Sequence, residues 1–396
     1  MQSEVKRSER LAPEVAALFA AARQRHRAGQ FAAAHALYRQ TLAADPDHLG
    51  SLYFLGILAI ETGRPGDAID FFTRVIARRA APDAHYHLAL VLQGERRPAE
   101  AEAHYRKAVA LKPDYAEAHM NLGNVLAEQG RRIDAAACYE RVLALDPRSA
   151  VAHYNLANML AGLMRHAEAE MHFRAAVASH PGFAEAWGNL GNVLRDRGRA
   201  AEAADAYRGA LALKPDHAEA HNNLGVMAAA RGDVVEAIAH YRRAVAARPG
   251  LVEAHNNLGL AFARSGDADG AATCFRHALA LEPGDLDAIH HLARVLFAHG
   301  KAAEAVALLT GAIDRDGNAE TRSLFVLCLR GLSEEELEGV RAYVLRALAE
   351  GWAHNGELER PGIALVKRAR AMAACIALAN AAYLAGTMAD LAQLLA

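Results

Sequence analysis

A chain of 396 residues with 44 Lys and Arg against 46 Asp and Glu has a formal net charge of −2. That balance excludes a protein that holds nucleic acid on a basic surface through phosphate neutralisation. Hydrophobic residues make up 53% and aromatics only 6%, and the excess of Ala favours helix throughout, since Ala has the highest helix propensity. The four cysteines, Cys138, Cys274, Cys328 and Cys375, form no CxxC pair; they imply neither a disulfide nor a zinc framework and suit a reducing, cytoplasmic compartment.

The N-terminus, MQSEVKRSER, is polar and lacks the apolar core of a secretory signal, so residues 1–14 are expected as an N-terminal extension. A 34-residue period follows, marked by Pro113, Pro147, Pro181, Pro215, Pro249 and Pro283. With each proline as the thirty-second residue of a unit, nine units begin at Val15, Leu49, Pro82, Ala116, Ala150, Ala184, Ala218, Val252 and Leu286, with one residue of slack near Pro82. They cover residues 15–319. A fixed period of this length marks a solenoid, which offers an extended surface for holding another molecule.

Each unit predicts two helices. In the first, a bulky residue is followed three later by an apolar one with a small one beside it, as in His119/Leu122/Gly123, Trp187/Leu190/Gly191 and His255/Leu258/Gly259. That spacing puts the side chains on one helical face, and the small residue permits close approach of the second helix. A glycine at the fifteenth position (Gly29, Gly63, Gly130, Gly198, Gly232, Gly266, Gly300) predicts a left-handed turn. The second helix opens with an acidic residue, such as Glu100, Asp134 or Glu236, favoured there by the helix dipole. Its buried face reads Ala101/Tyr105/Ala108, Ala203/Tyr207/Ala210 and Ala237/Tyr241/Ala244. The periodic proline then ends it.

Small and large residues at these offsets, with proline at the turn, closely resemble the tetratricopeptide repeat family, most clearly in AEAHMNLGNVL, AEAWGNLGNVL, AEAHNNLGV and VEAHNNLGLAF. The resemblance implies an all-α fold, a right-handed superhelical solenoid of helix-turn-helix repeats. Units one, two and nine match least well.

Residues 320–396 break the period and are expected as a helical capping or linker region. Ser333-Glu334-Glu335-Glu336 predicts a capping box opening a helix with Leu337, Val340, Val344 and Leu348 on its apolar side. The apolar run Leu324, Phe325, Leu327 and Leu329 is expected to cap the ninth unit, with the chain less tightly held from about Gly351. A further helix is expected from Ile363. Ala371 to Ala389 carries no charge but is mostly Ala, with Asn380, Gly386 and Thr387, so a packed helix is expected there rather than a membrane span. The segments SLFVLCLRGL, LRALAEGW and ERPGIALVKRARAMAACIA look like the helical region that joins tetratricopeptide arrays to methyltransferase domains in bacterial fusion proteins.

In a two-helix solenoid the first helices line the concave surface. There an asparagine column stands at the sixth position: Asn121, Asn155, Asn189, Asn223 and Asn257. Asn124, Asn158 and Asn192 stand one turn further along, and Asn222 and Asn256 lie beside the column. A carboxamide both donates and accepts, so such a row can grip the backbone of an extended peptide without reading its sequence. It is similar to the asparagine ladder of O-linked N-acetylglucosamine transferases, which implies substrate proteins held in that way. The competing reading is structural, with the same side chains bonding helix to helix. No lysine occupies the fifth position, so the clamp for a terminal carboxylate found in chaperone-binding tetratricopeptide domains is not expected.

His85, His119, His153, His221 and His255 hold the fourth position and are expected as packing residues with one ring nitrogen satisfied. Successive copies are a whole repeat apart and cannot share an ion at ~2 Å ligand distances. His217 and His221 straddle a turn and are not expected to act as ligands. Arg39, Arg106, Arg174, Arg208, Arg242 and Arg276 recur on the second helix and are expected to form a solvated outer face. There is no glycine-rich phosphate loop, HExxH or nucleophile elbow, so the chain is expected to be no enzyme and to need neither cofactor nor metal. The expected function is a protein-interaction scaffold that takes an extended peptide in its groove. The alternative is the substrate-targeting half of a methyltransferase, or less favourably a glycosyltransferase, whose catalytic part lies outside this chain.

Overall fold

The structure, a computed structural model, describes residues 2–352 and 361–362, with side chains from residue 13 onward except those of Asp316 and Glu334. The helix expected from Ile363, the basic run Lys367, Arg368 and Arg370, the uncharged stretch Ala371 to Ala389 and Cys375 lie outside the described residues. All described elements are α-helices, and the chain divides into two compact units, residues 1–203 and 204–396.

The first unit holds α1 (Gln2–Arg27), α2 (Phe31–Ala44), α3 (Leu49–Glu61), α4 (Pro65–Arg78), α5 (Pro82–Gly94), α6 (Pro98–Leu111), α7 (Ala116–Glu128), α8 (Arg132–Leu145), α9 (Ala150–Gly162), α10 (His166–Ser179) and α11 (Ala184–Asp196). Each of these packs on the next, and α3 also touches α1 and α5. Residues expected as an extension belong to the first helix, because α1 runs unbroken from Gln2. The boundary between the units falls within α12 (Ala200–Leu213).

The second unit continues with α13 (Ala218–Ala230), α14 (Val234–Ala247), α15 (Val252–Ser265), α16 (Ala268–Leu281), α17 (Leu286–Ala298) and α18 (Ala302–Asp316). These also pack each on the next. Then come α19 (Ala319–Leu329), α20 (Glu334–Gly339) and α21 (Arg341–Glu350).

One kind of contact closes the helix pairs. A large side chain of the second helix, aromatic except for Leu309 in the last repeat, falls at the position opposite the small residue of the first. A Cβ placed on Gly123 would come within 2.7 Å of the Tyr139 ring, and one on Gly225 within 2.6 Å of Tyr241. Gly259 meets Phe275 and Gly56 meets Phe72 in the same way, each at 2.7 Å. Ala89, Ala157 and Ala293 hold the equivalent place elsewhere and are fully buried. Tyr105, Tyr207, Phe72 and Phe275 expose none of their surface, and burying a side chain of this size contributes about 1.5–3 kcal/mol.

The turn between paired helices is left-handed. Gly29, Gly63, Gly130, Gly198, Gly232, Gly266 and Gly300 have φ between 67° and 84°. Two repeats make the same turn without glycine, at Arg96 (φ 58°) and Met164 (φ 61°). A side chain in that region costs roughly 1–2 kcal/mol, so the packing of the paired helices holds the turn against its own preference.

The arginines of the second helices are not a uniform solvated face. Arg106 Nη1 lies 2.7 Å from the buried carboxylate of Glu102, which Arg131 also reaches at 2.7 Å. Glu170, 2% exposed, gathers Arg174, Arg197 and Arg199. Arg208 pairs with Asp205, Arg276 with Glu304, and Arg242 lies over the Phe262 ring. Surface pairs contribute little, but a buried carboxylate must keep its partners, since stranding it costs several kcal/mol.

In the second unit α19 packs on α17 and α18. Leu324, Phe325 and Leu329 are buried, together with Val326 and Cys328, whereas Leu327 turns outward at 41% exposure. The capping box at Ser333 is present, but the helix it opens is short. Gly339 ends α20, Val340 takes a non-helical conformation (φ −115°, ψ 18°), and Val344 and Leu348 belong to α21. Trp352 is buried against Phe325, with Arg322 and Arg346 over its ring. The packed region therefore extends past Gly351.

Met164→Gly should relieve the left-handed strain and raise the denaturation midpoint by about 0.5–1 kcal/mol equivalent, whereas Gly232→Val should lower it; urea titration followed by circular dichroism reads both. Ending the chain at residue 319 removes the cover from Leu309 and Ile313, both buried in the shared core. Light scattering should then show association, and a monomer of unchanged melting temperature would contradict the capping assignment.

Candidate functional site

The first helices carry the asparagines on a face where each repeat meets the one before. In the first unit Asn155 Nδ2 donates to Asn124 Oδ1 (3.2 Å), and Asn189 Nδ2 donates to Asn158 Oδ1 (2.9 Å) and to Tyr154 Oη (3.3 Å). Asn124 Oδ1 also accepts from Tyr139 Oη at 2.8 Å. Asn121 lacks an asparagine partner, because Leu90 stands one repeat back, and donates to Tyr86 Oη at 3.2 Å. In the second unit Asn257 Nδ2 donates to Asn222 Oδ1 (3.0 Å), while Asn222 Nδ2 donates to Glu253 Oε1 (3.0 Å). Asn256 donates to Asp285 Oδ2 at 2.6 Å, and its own Oδ1 is buried without a hydrogen-bond partner. Asn222 and Asn223 are buried, whereas Asn192 and the rest are half-buried.

The column therefore braces successive repeats. The rungs Asn155–Asn124, Asn189–Asn158 and Asn257–Asn222 each engage the nitrogen of one carboxamide and the oxygen of another, while Asn124 Oδ1 accepts twice and Asn189 Nδ2 donates twice. Both readings of the sequence use the same residues, and the structure supplies the bonds of the structural one.

Two recesses were not foreseen. One, of about 250 Å³ in the second unit, is lined by Val226, Ala229, Tyr241 and Leu260 together with Asn257 and Arg264. The other, of about 400 Å³ in the first unit, is lined by Arg23, His26, Arg27, Tyr38, Phe54 and Glu61, among others. There Arg23 lies 5.0 Å from the centre of the Phe54 ring, and His26 bridges Glu61 Oε2 (2.7 Å) and Tyr38 Oη (3.2 Å). The available signal was the interruption of the column: Val226 and Leu260 stand where other repeats carry the second asparagine, and Phe54 stands at the sixth position itself.

Four of the five histidines at the fourth position are tied to the periodic proline. Nε2 of His119, His153, His221 and His255 lies 2.9–3.2 Å from the carbonyl oxygen of Pro113, Pro147, Pro215 and Pro249, and Trp187 Nε1 donates to Pro181 in the same way. The ring nitrogen thus holds the preceding turn. His217 does not converge with His221: its Nδ1 accepts from the Ala220 amide and caps α13, as His48 caps α3.

Sequence models of the tetratricopeptide repeat family match residues 25–91, 99–130, 116–149, 165–217, 189–252 and 262–324, together more than half of the chain. The chain belongs to the tetratricopeptide repeat family. No curated protein matches it. Among solved structures it is similar to YrrB, described as a tetratricopeptide repeat protein with an unusual peptide-binding site, at 24% identity over 47% of this chain and 96% of that one, with a TM-score of 0.38. It is similar to the MamA protein at 26% identity over 43% of this chain and 93% of that one, TM-score 0.38. The pilF protein of Pseudomonas aeruginosa aligns at 22% identity over 52% of this chain and 94% of its own, TM-score 0.47. As a tetratricopeptide repeat protein the chain is a protein-interaction scaffold, and no helix among the described residues is long and apolar enough to cross a membrane.

Asn124→Ala strips the acceptor from both Tyr139 and Asn155 and should cost about 1–3 kcal/mol. Thermal and urea unfolding measure this, and a variant as stable as the parent would remove the bracing role from that rung.

Proposed function

We propose that the chain binds an extended segment of a partner protein on the faces built by its first helices, in the cytoplasm, with residues 15–319 as the binding array and residues 320–396 as its cap. The observation that carries this reading is the recess of about 250 Å³ among α13, α14 and α15. Its apolar walls suit one aliphatic or small aromatic side chain. Asn257 and Arg264, which share the lining, suit the main chain and an acidic neighbour of that residue.

In the first unit Asn121, Asn124, Asn155, Asn158, Asn189 and Asn192 present carboxamides that suit a peptide backbone; in the second unit Asn256 and Asn257 do so, whereas Asn222 and Asn223 are buried. Because the rungs already fix these side chains, gripping a peptide would cost little further rotamer entropy. Association and ordering costs still place the affinity in the micromolar range.

The test is selection of peptides from a random display library on the full chain, followed by titration against variants. Ala229→Leu fills the recess and should weaken the selected peptides about tenfold or more while the melting temperature holds. Asn155→Ala combined with Asn189→Ala should weaken peptides that dock on the first unit. Peptides that bind both variants as tightly as the parent would retire the proposal.

A further inference from the structure

The fourth and twenty-third positions of a repeat, 19 residues apart, meet where its two helices cross. His85 and His104 are in Nδ1···Nδ1 contact at 2.9 Å, His153 and His172 at 2.9 Å, and His221 and His240 at 3.0 Å. Their ring centroids are 5.2–5.3 Å apart. The sequence repeats the choice of residue type. His119 is matched at the twenty-third position by Cys138 and His255 by Cys274. Where the fourth residue is Trp187 the twenty-third is Ala206, and where it is Leu52 or Ile289 the partner is Phe71 or Leu308. Every histidine at the fourth position is thus paired in register with His or Cys, whereas apolar residues are paired with apolar ones. Packing alone has no need of that match.

The tautomers follow from the partners. A carbonyl oxygen only accepts, so Nε2 of His153 and of His221 carries the proton it gives to Pro147 and to Pro215. Their Nδ1 atoms then hold a lone pair that accepts the Nδ1–H of the second imidazole. For an ion to take the place of that hydrogen, the second ring must move its proton to Nε2, a change of tautomer that leaves it neutral. A histidine whose far nitrogen is tied to a backbone carbonyl is oriented as metal-ligating histidines are. An ion bonded at about 2.05 Å to two nitrogens with this spacing subtends roughly 90° at the metal, the angle between adjacent ligands in octahedral or tetragonal coordination.

We infer that each of the three imidazole pairs is a two-point site for a divalent first-row transition ion of the Ni(II) or Cu(II) kind, tying the two helices of a repeat together. Among the described residues no three His, Cys, Asp or Glu cluster to hold an ion, so water completes the shell. Burial favours the neutral, ligating form of five of these rings. Burial pulls His85 down to about 4, with His104 and Lys107 adding, and burial lowers His104, His172, His221 and His240.

The surroundings rank the sites. His172 faces Glu140 and Glu168, with Arg165 on Glu168. The first pair has Lys107 beside His85, and Glu100, itself held by Arg97, beside His104. The third has Arg208, Arg243 and His217 nearby, with Glu236 3.9 Å from His240. The middle pair has the most favourable field for a cation.

The experiment is calorimetric titration of the chelator-stripped, tag-free full chain with Ni(II). Three equivalents should bind, each raising the melting temperature. His172→Gln, which keeps a donor for His153 but is a poor ligand, should remove the tightest site. The triple variant His104→Gln, His172→Gln and His240→Gln should lose all three. A triple variant that folds and binds Ni(II) like the parent overturns the inference. If it does not fold, Cu(II) bound to the parent decides: spin resonance showing coupling to two imidazole nitrogens per ion supports the sites, and coupling to one or none overturns them.

Discussion

The fold depends on a ring that has no room to move. In four helix pairs an aromatic side chain from the second helix lies where a Cβ on the first would nearly touch it, as Tyr241 does at Gly225 and Phe275 at Gly259. That contact fixes how closely two helices of 13 and 14 residues approach, as in α13 and α14. Close approach in turn forces a tight reversal at the fifteenth residue. Glycine makes it easily, and Arg96 and Met164 make it under strain. The contact between helices therefore dominates the turn.

Much of this was legible because it is periodic. The proline spacing located the helix starts from Leu49 to Leu286, and the offsets named Ala101, Tyr105 and Ala108, all fully buried. What was hidden depends on partners outside the period. Nothing local distinguishes Glu102 and Glu170 from surface acids, because their burial comes from arginines further along the chain, Arg131 and Arg199 among them. Leu327 looked like its apolar neighbours, yet on the short α19 it falls on a side that no helix among the described residues covers. The asparagine positions were found but not their bonds, since each rung joins residues 31 or 35 apart whose meeting is set by the packing of successive repeats.

The bracing role of asparagine bears on the function proposed above. A carboxamide held by a neighbour has already lost the rotamer freedom that a free surface side chain would surrender on binding. Asn155 and Asn189 are half-buried and fixed through their nitrogens, so their orientation is set before any partner arrives. A row of this kind is tolerant of sequence, because main-chain amides are the same in every peptide. In the proposed reading it would offer affinity with little discrimination.

Discrimination has to come from places where the row is broken. Val226 and Leu260 replace asparagine in the second unit and leave an apolar recess beside Asn257 and Arg264. In the first unit Phe54 replaces it and brings Arg23, Arg27 and Glu61 to one recess. An apolar wall next to a charged group rejects a mismatched side chain in two ways, by leaving a cavity unfilled or by burying a charge unpaired. The regular positions thus suit the backbone of a partner, and the exceptions suit its side chains. In a repeat protein the departures from the repeat are where specificity can be encoded, since identical repeats would bind every register of a peptide equally well.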